Sequence, residues 1–599
     1  MCGINGIYRY RPEGRRFLQE DVERVRDSMS TRGPDDAGLW ISSDHRIGLG
    51  HRRLSIIDLS PNSNQPMASH DGRFQIVFNG EIYNYKALKA ELSSSGHAFR
   101  TQSDTEVILA MYEMHGLAML SRLRGMFTFA IWDSRENRLV IARGPMGIKP
   151  LYYSVQDSTF QFASQVKALI AGGNVDTSPE PAGHIGFFLW GHVPEPFTLF
   201  RGIRQLPAGS YLIVDEHGPK HPIIYQDPKQ WFENPRVPDD ALACLRESLQ
   251  DSVDHHFVSD VPVSLFLSAG RDSAAILSLA SETDHNPVHA VTLGFQEYKG
   301  TPDDECPMAS RLAEQFGASH IAHFVTGDQF KSDVGDLLSA MDQPSIDGAN
   351  TYFVCKVAAS LGVRVALSGL GADEIFGGYH SFAQVPKLAR SLAWSNRVPR
   401  LGQSLRKALT RIKSSKSPKY AGILEYGGTI EGAFLLRRGL FMPWEIGEIL
   451  DRDFTEAGLE ELATVDRLRA ITSGLPSPHS KVVMLELYWY MQGRLLRDSD
   501  WASMAHSLEL RVPFVDTELM KRIGPWIASS KPPTKDDMVR CLANPLPSDF
   551  LSRPKTGFNI PVERWALDLD PSARREHSHR QWAKYVYRNV AGEDMLRRS

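Results

Sequence analysis

Two stretches of this chain carry residue types that could do chemistry. The first is Cys2-Gly3, at the start of MCGINGIYRYR. With Met1 removed, Cys2 would carry a free α-amine of ordinary pKa about 8. That amine can act as the base for its own thiol, the logic of an N-terminal nucleophile. Taken alone, a cysteine behind the initiator reads as an accident of position. The second stretch is Val263 to Ser273, VSLFLSAGRDS. An apolar run (Val263, Leu265, Phe266, Leu267) is broken by Ser268-Ala269-Gly270, and Asp272-Ser273 opens a helical pattern from Ala274 to Ala280. A strand, a turn of small residues and a helix start direct backbone N–H groups and the helix dipole at one point, which suits a phosphate. The G-x-x-x-x-G-K-S/T loop is absent. The same residues also fit an ordinary turn with Asp272 or Ser273 as N-cap.

Further candidates lie elsewhere. Thr292-Leu293-Gly294-Phe295 closes one apolar run, and Val365 to Glu374 (VALSGLGADE) closes another, with Phe376-Gly377-Gly378-Tyr379 behind it. Asp272 and Asp373 are then carboxylates at two strand tips beside an anion site. Mg²⁺ suits such a pair, because it takes oxygen ligands and bridges to phosphate; two N-caps are the alternative. In the first half, Asn79-Gly80 reads as a hairpin turn. It also reads as an oxyanion hole, with the Asn79 amide and the Gly80 N–H aimed at an attacked carbonyl. Arg53 and Asp104 could hold an amino acid by its carboxylate and ammonium. Spacing alone fixes none of these pairings.

Two kinds of segment must position these groups. The first 200 residues are rich in short apolar-aromatic strands, among them Phe74 to Phe78 and the alternating Gly125 to Trp132. Helical patterns follow at Tyr85 to Ser93 and Glu106 to His115, so paired sheets with helices outside are expected. Pro194 to Pro207 and Gly209 to Pro235 are rich in proline and charge with little periodicity, which places the boundary there. The expected division is 1–212, a linker at 213–238, and a second domain at 239–599. From Asp239 helix and strand alternate: Ala241 to Val253, 263–267, 274–280, Ala290 to Leu293, Cys306 to Phe316, Thr351 to Leu361 and Val363 to Leu367. That alternation predicts a parallel sheet covered by helices, with its ligand at the strands' C-terminal ends. Lys481 to Gln492 and Asp498 to Ser507 read as helices, the basic run Lys407 to Lys419 as a solvated segment, and the tail from Arg574 as a helix or loose end.

At 599 residues the chain exceeds one ordinary domain. Its 42% hydrophobic and 23% charged residues are those of a soluble globular protein. A net charge of −4 gives no reason to expect a nucleic-acid partner. No stretch approaches the roughly 20 apolar residues of a membrane span, and the N-terminus lacks a signal-peptide core. Five scattered cysteines without C-x-x-C indicate neither a disulfide frame nor a zinc site. A reducing cytoplasm is the expected location.

MCGI, RGPDDAG (Arg32 to Gly38), GHRRLSIID (Gly50 to Asp58), QPM (Gln65 to Met67), FNGEIYNY (Phe78 to Tyr85), SDTEVIL (Ser103 to Leu109), MGIKPLYY (Met146 to Tyr153) and FASQVKAL (Phe162 to Leu169) stand in order. Together they resemble the glutaminase domain of class II, N-terminal-nucleophile glutamine amidotransferases. SAGRDS resembles the S-G-G-x-D-S pyrophosphatase loop. LSGLGADEIFGGY, ELRVPFVD (Glu509 to Asp516) and LPSDFLSRPKTGF (Leu546 to Phe558) are similar to glutamine-hydrolysing asparagine synthetases. The resemblance covers nearly the whole chain. It implies an α/β protein: an α+β sandwich of two β-sheets with flanking helices, then a parallel-sheet ATP-pyrophosphatase domain with added helices. It implies Cys2 as nucleophile, Asn79 and Gly80 as oxyanion hole, and Arg53, Asn79, Glu81 and Asp104 as the glutamine site. Leu267, Ser268, Asp272, Ser273, Leu293, Ser368 and Gly369 would bind ATP. Asp272 and Asp373 would hold Mg²⁺, and Lys555 would neutralise charge during catalysis. A homodimer is also implied.

The implied reaction is amide formation, with ammonia from glutamine passing through an internal tunnel to a carboxylate adenylated by ATP, aspartate first among the acceptors. Several residues depart from the family pattern. Thr31 replaces His, ARGP (Ala142 to Pro145) replaces ARDR, and Gln165 replaces Glu in the first half. In the second, Ala269 replaces Gly, Arg271 an apolar residue, and Leu370 an acid suited to the attacking ammonia or an aspartate ammonium. Leu370 keeps open another carboxylate in a specialised biosynthetic or cell-surface pathway. The altered loop keeps open an inactive sensor or scaffold. Cys2 argues against a cyclising β-lactam-synthetase-like ligase.

Overall fold

The structure is a computed structural model that describes residues 2–283, 287–411, 418–552, 565 and 578–592. Alternating strands build two antiparallel sheets in the first half. Gly3–Arg9 (β1) is flanked by Ile47–Arg53 and Thr159–Ala163, and the sheet is completed by Asp36–Ile41, Tyr152–Gln156 and Ile203–Gln205. Phe74–Ile82 (β2) pairs with Gly125–Asp133, which leads to Arg138–Arg143 and Ser210–Asp215, while Met67–Ala68 forms the other edge.

Side chains alternate across a strand, and β2 uses both of its faces. Ile76, Phe78 and Ile82 turn outward against the helix Tyr85–Ser94 and the helix Asp104–His115 (α1), joining Leu88, Val107 and Ile108. Val77 turns inward and packs with Ile4, Tyr8, Leu49, Ala130 and Phe162, residues of both sheets. Asn79 and Glu81 share the inward parity of Val77. Val25 and Met29 join Val166 and Leu169 on the outer side of the first sheet. Helix, sheet, sheet and helix therefore stack as four layers.

The second half holds one parallel sheet of Val263–Phe266 (β3), His289–Phe295 (β4), Ser319–Val325 (β5), Val365–Leu367 (β6) and Glu509–Arg511 (β7), in the order β5-β4-β3-β6-β7. The order reverses beside β3, which opens a crevice at the C-terminal ends of β3 and β6. Val263 pairs with Val365 and Leu265 with Leu367, so those two ends lie level. Helices Arg271–Ser281 (α2), Ala349–Ser360 (α3), Arg497–Met504 (α4) and Lys535–Arg540 (α5) surround that crevice. The halves share apolar clusters: Tyr83, Met126, Met146 and Ile148 pack with Leu249, Leu265 and Phe514, and Val365 and Met504 with the α1 cluster.

Several expectations change. Asn79-Gly80 is no hairpin turn, because β2 continues through it to Ile82. Neither Asp272 nor Ser273 caps α2: Gly270 does, and Asp272 sits in the first turn. The stretch expected as a linker, 213–238, contains the end of Ser210–Asp215 and the short strands Gly218–Pro219 and Ile223–Ile224, all paired in the second sheet. Residues 478–504 form one continuous run, α-helical at Pro478–Leu485, π-helical at Glu486–Leu496 and α-helical again in α4. The tail contains a helix, Ser578–Ala591, whose Trp582, Ala583, Val586 and Tyr587 are buried. Among the described residues no helix is long and apolar enough to cross a membrane, and all five cysteines are unpaired.

Candidate active site

Cys2 precedes β1 in one sheet and Asn79 lies on β2 in the other, and they meet across the sandwich. The Cys2 N–H donates to Asn79 Oδ1 at 3.0 Å. Asn79 is fully buried, and its Nδ2 has no hydrogen-bond partner among the described residues. A buried amide donor left open in this way is costly unless a ligand takes it. Gly80 follows at φ +151°, where an added Cβ would stand 2.0 Å from the Met126 carbonyl oxygen, so no other side chain fits. Burial pushes the Cys2 thiol above its usual pKa, and the Arg53 guanidinium is among the groups drawing it back down.

Arg53 is locked by its own loop: Nη1 donates to Asn64 Oδ1 at 2.6 Å and to the Ser60 carbonyl at 3.0 Å. Asp104 opens α1, and its Oδ2 accepts the Ile82 N–H at 3.0 Å. Burial raises its pKa to about 7. Glu81 lies within electrostatic reach of both Cys2 and Asp104. Burial and the neighbouring Glu509 charge push its carboxyl well above the usual range, and its Oε2 faces Arg511 of β7, in the other half of the chain, at 3.5 Å.

The second set lines a cavity of about 620 Å³ at the ends of β3 and β6. Leu267, Ser268, Asp272, Ser273, Leu293, Ser368, Gly369 and Asp373 all contribute to its wall. The turn is folded by its serines: the Ser268 N–H donates to Ser273 Oγ at 3.1 Å and the Gly270 N–H to Ser268 Oγ at 3.1 Å. A Cβ on Gly369 would lie 3.0 Å from the Ser273 nitrogen, so the two turns touch as backbone. Arg271 turns its head group away, to Asp536 at 2.6 Å and the Leu551 carbonyl at 2.9 Å. Lys555 lies outside the described residues. The cavity wall belongs to the second half alone and includes none of Cys2, Asn79, Arg53 or Asp104. The structure thus gathers the candidates into two groups.

Asp272 and Asp373 converge on one cation, the Lys535 ammonium, which stands 2.7 Å from both Asp272 oxygens and 2.5 Å from Asp373 Oδ1. Burial alone would lower the Lys535 pKa; the two carboxylates outweigh it and raise it. Sequence reasoning missed this lysine. It belongs to no phosphate-loop pattern, and its one local signal is the capping box of Thr534 and Asp537 that starts α5 beneath it. The pair of carboxylates fits Mg²⁺, which typically uses one or two acids and completes its shell with phosphate and water. No group of three or more His, Cys, Asp or Glu side chains that could hold a metal occurs among the described residues.

The rest of the wall was also largely unforeseen. Glu374, accepting from Tyr379 Oη at 2.8 Å, has its pKa raised to about 8 by burial and the neighbouring Asp373 charge. Asp498 on α4 is raised to about 6 by burial. Leu370 lines the same space and packs against the core. Tyr490 and Leu495 reach it from the π-helix, a rare form that recurs at functional sites.

Comparison with known proteins matches this division. The glutamine amidotransferase domain family matches residues 1–225, and the asparagine synthase family matches residues 244–597. Asparagine synthetase (glutamine-hydrolyzing) 1 of Bacillus subtilis (strain 168) is 32% identical over 575 residues, covering 94% of this chain and 88% of that one. Asparagine synthetase (glutamine-hydrolyzing) 3 of the same organism is 29% identical over 588 residues, with 93% and 87% covered. Amidase chry2 of Gibberella zeae is 32% identical over 411 residues, covering 64% of this chain and 60% of that protein.

Proposed function

The chain belongs to the asparagine synthase family, with a glutamine amidotransferase domain ahead of it, and from that premise we propose that it makes an amide from a carboxylate, glutamine and ATP. The observation that carries this reading is the pair of sites: an orphaned buried amide beside Cys2, and two carboxylates converging at a phosphate-suited turn.

In the first chamber the Cys2 thiol attacks the glutamine side-chain carbonyl, and the α-amine freed by removal of Met1 takes the thiol proton. Charge develops on the carbonyl oxygen, where Asn79 Nδ2 and the Gly80 N–H receive it. Ammonia leaves, and water hydrolyses the thioester. Arg53 holds the glutamine carboxylate and Asp104 its ammonium, with Glu81 beside them. In the second chamber Leu267 and Leu293 flank the nucleotide while the Ser268–Ser273 turn and the Ser368-Gly369 backbone receive its phosphates. The acceptor carboxylate attacks the α-phosphorus in line, pyrophosphate departs, and ammonia attacks the resulting acyl-adenylate. Asp272 and Asp373 would hold Mg²⁺, whose chemistry is to neutralise phosphate charge. Lys535 already sits between them and is placed to follow the departing pyrophosphate; Lys555 is assigned to charge neutralisation by resemblance.

We take aspartate as the acceptor. A second reading, the same chemistry on another carboxylate, is favoured by Leu370, whose apolar side chain in the cavity wall can neither accept a proton from ammonia nor meet an ammonium. We place the domain boundary after Ile224, where pairing to the second sheet stops. Cytoplasmic location and a homodimer complete the proposal.

The deciding experiment compares wild type with Cys2→Ala, following pyrophosphate release with glutamine or with ammonium chloride across a panel of carboxylates. Cys2→Ala should lose the glutamine-driven reaction and keep the ammonia-driven one. Loss of both contradicts the two-site scheme. Failure to form asparagine from aspartate in a long assay eliminates that acceptor.

A further inference from the structure

Arg32 belongs to the RGPDDAG stretch, yet the reaction above gives it no task. It is 1% exposed, and all three of its guanidinium nitrogens are engaged. Nε donates to the Cys2 carbonyl at 3.1 Å, while Nη1 and Nη2 fork onto Asp500 Oδ2 and Oδ1 at 2.7 and 3.1 Å. Asp500 is itself 4% exposed and comes from α4, in the other half of the chain. The buried Lys149 ammonium stands 3.7 Å from Asp500 Oδ1. The backbone of Cys2 is thus gripped at two points: its N–H by Asn79, its carbonyl by a guanidinium whose orientation Asp500 sets.

We propose that Asp500 is a positioning residue for the Cys2 nucleophile, acting through Arg32, so that the synthetase half of the chain completes the glutamine-cleaving chamber. A planar guanidinium can fork onto a carboxylate in few orientations. With both partners buried, one arrangement of Nε against the Cys2 carbonyl is selected. α4 is also the partition between the two chambers. Residues two apart lie about 200° around a helix, so Asp498 faces the nucleotide cavity while Asp500 faces Arg32. Asp498 is anchored by Ser345 Oγ at 2.5 Å and Trp501 Nε1 at 2.9 Å. A shift of α4 on filling the cavity would therefore be felt at Cys2.

This inference rests on Cys2 being the nucleophile, and the test separates the two. Wild type, Cys2→Ala, Asp500→Asn and Arg32→Lys are compared for glutamine hydrolysis and for glutamine- and ammonia-driven pyrophosphate release. Asp500→Asn keeps the shape but loses the charge that orients the fork. Arg32→Lys keeps a cation for Asp500 but cannot reach three oxygens in one plane. In both, the ratio of glutamine-driven to ammonia-driven rate should fall at least tenfold. The loss should lie in kcat for glutamine hydrolysis, with KM for glutamine within threefold, since Arg53 and Asp104 are untouched. An unchanged ratio in either folded variant, or both rates falling together, overturns the proposal. Should Asp500→Asn not fold, the Arg32→Lys ratio decides alone. Glutamine hydrolysis surviving in Cys2→Ala would defeat the underlying reading instead.

Discussion

Asn79 offers the sharpest test of the Cys2 chamber, because its two side-chain atoms do separable things. Oδ1 receives the Cys2 N–H at 3.0 Å, and Nδ2 is buried with no partner among the described residues. One preorganised donor in a water-excluded site is worth about 2.7–4 kcal/mol to an oxyanion, or roughly 10²–10³ in kcat. The hydrogen bond to Cys2 adds on the order of 1 kcal/mol of positioning. Asn79→Ala removes both, and glutamine hydrolysis should fall by about three orders of magnitude. Asn79→Asp keeps an acceptor for the Cys2 N–H but sets an anion where the donor stood. If stabilising the oxyanion is the larger effect, the aspartate variant at pH 8 is as slow as the alanine one or slower. If holding Cys2 is what matters, it approaches wild type. Glutamate release measures the first chamber, and ammonia-driven pyrophosphate release on the same preparations measures the second. The latter should stay within twofold, since Asn79 is no part of the nucleotide cavity. An Asn79→Asp enzyme keeping a third of wild-type glutaminase activity would refute the oxyanion assignment, and so would an alanine variant that slows both reactions equally.

Three further outcomes rest on the geometry of the two sites. Lys535→Met leaves Asp272 and Asp373 facing each other without their shared cation. The cluster is only half-buried, and losing the cation leaves two like charges in repulsion, so the urea midpoint should drop and pyrophosphate release should fall about a hundredfold with either nitrogen source; an unchanged midpoint would contradict the clamp. Asp104, raised to about 7 by burial, is protonated below that pH, so KM for glutamine should rise as pH falls under about 7 and flatten in Asp104→Asn. The sign for stability is opposite: the folded state holds a proton that the unfolded chain releases above about 4, so replacing Asp104 by Asn should cost progressively less, or help more, as pH rises from 4 to 7. Denaturant titrations at pH 5 and pH 8 measure that difference.

Much of the fold was legible where one rule acted alone. β2, Gly125–Asp133, α1 and the β3-turn-α2 unit follow from periodicity and small residues. The Asn79-Gly80 pair misled because its local preference is a hairpin turn, and pairing of Asn79 with Thr128 and Gly80 with Phe127 overrides that preference. β5 was missed because it is an edge strand whose Ser319, Ile321, Ala322 and His323 remain exposed, so no clean apolar alternation marks it. Gly218–Pro219 and Ile223–Ile224, inside the stretch expected as a linker, are only two residues each, too short for any alternation to mark them as strands. Lys535, Asp498 and Asp500 were invisible for a different reason. Their meaning lies in partners 153 to 468 positions away in sequence, and no spacing rule reaches that far.

The contacts between the halves explain why the two chambers keep one geometry. Buried ion pairs add little net stability, since desolvation offsets most of their attraction. Arg32–Asp500, Arg124–Asp516 and Glu81–Arg511 therefore do not hold the halves together by strength. The shared apolar clusters do that, with Tyr83, Met126, Met146 and Ile148 packed into the core beneath β3. What the charged pairs supply is register: Arg124 forks onto Asp516 with both contacts at 2.9 Å, and Arg32 does the same on Asp500. A slip of an ångström between the halves would keep most apolar contact, yet strand several buried charges without partners at a cost of a few kcal/mol each. Hydrophobic burial thus sets how firmly the halves adhere, and buried charge sets where. The proposed transfer of ammonia from one chamber to the other would need the second property more than the first.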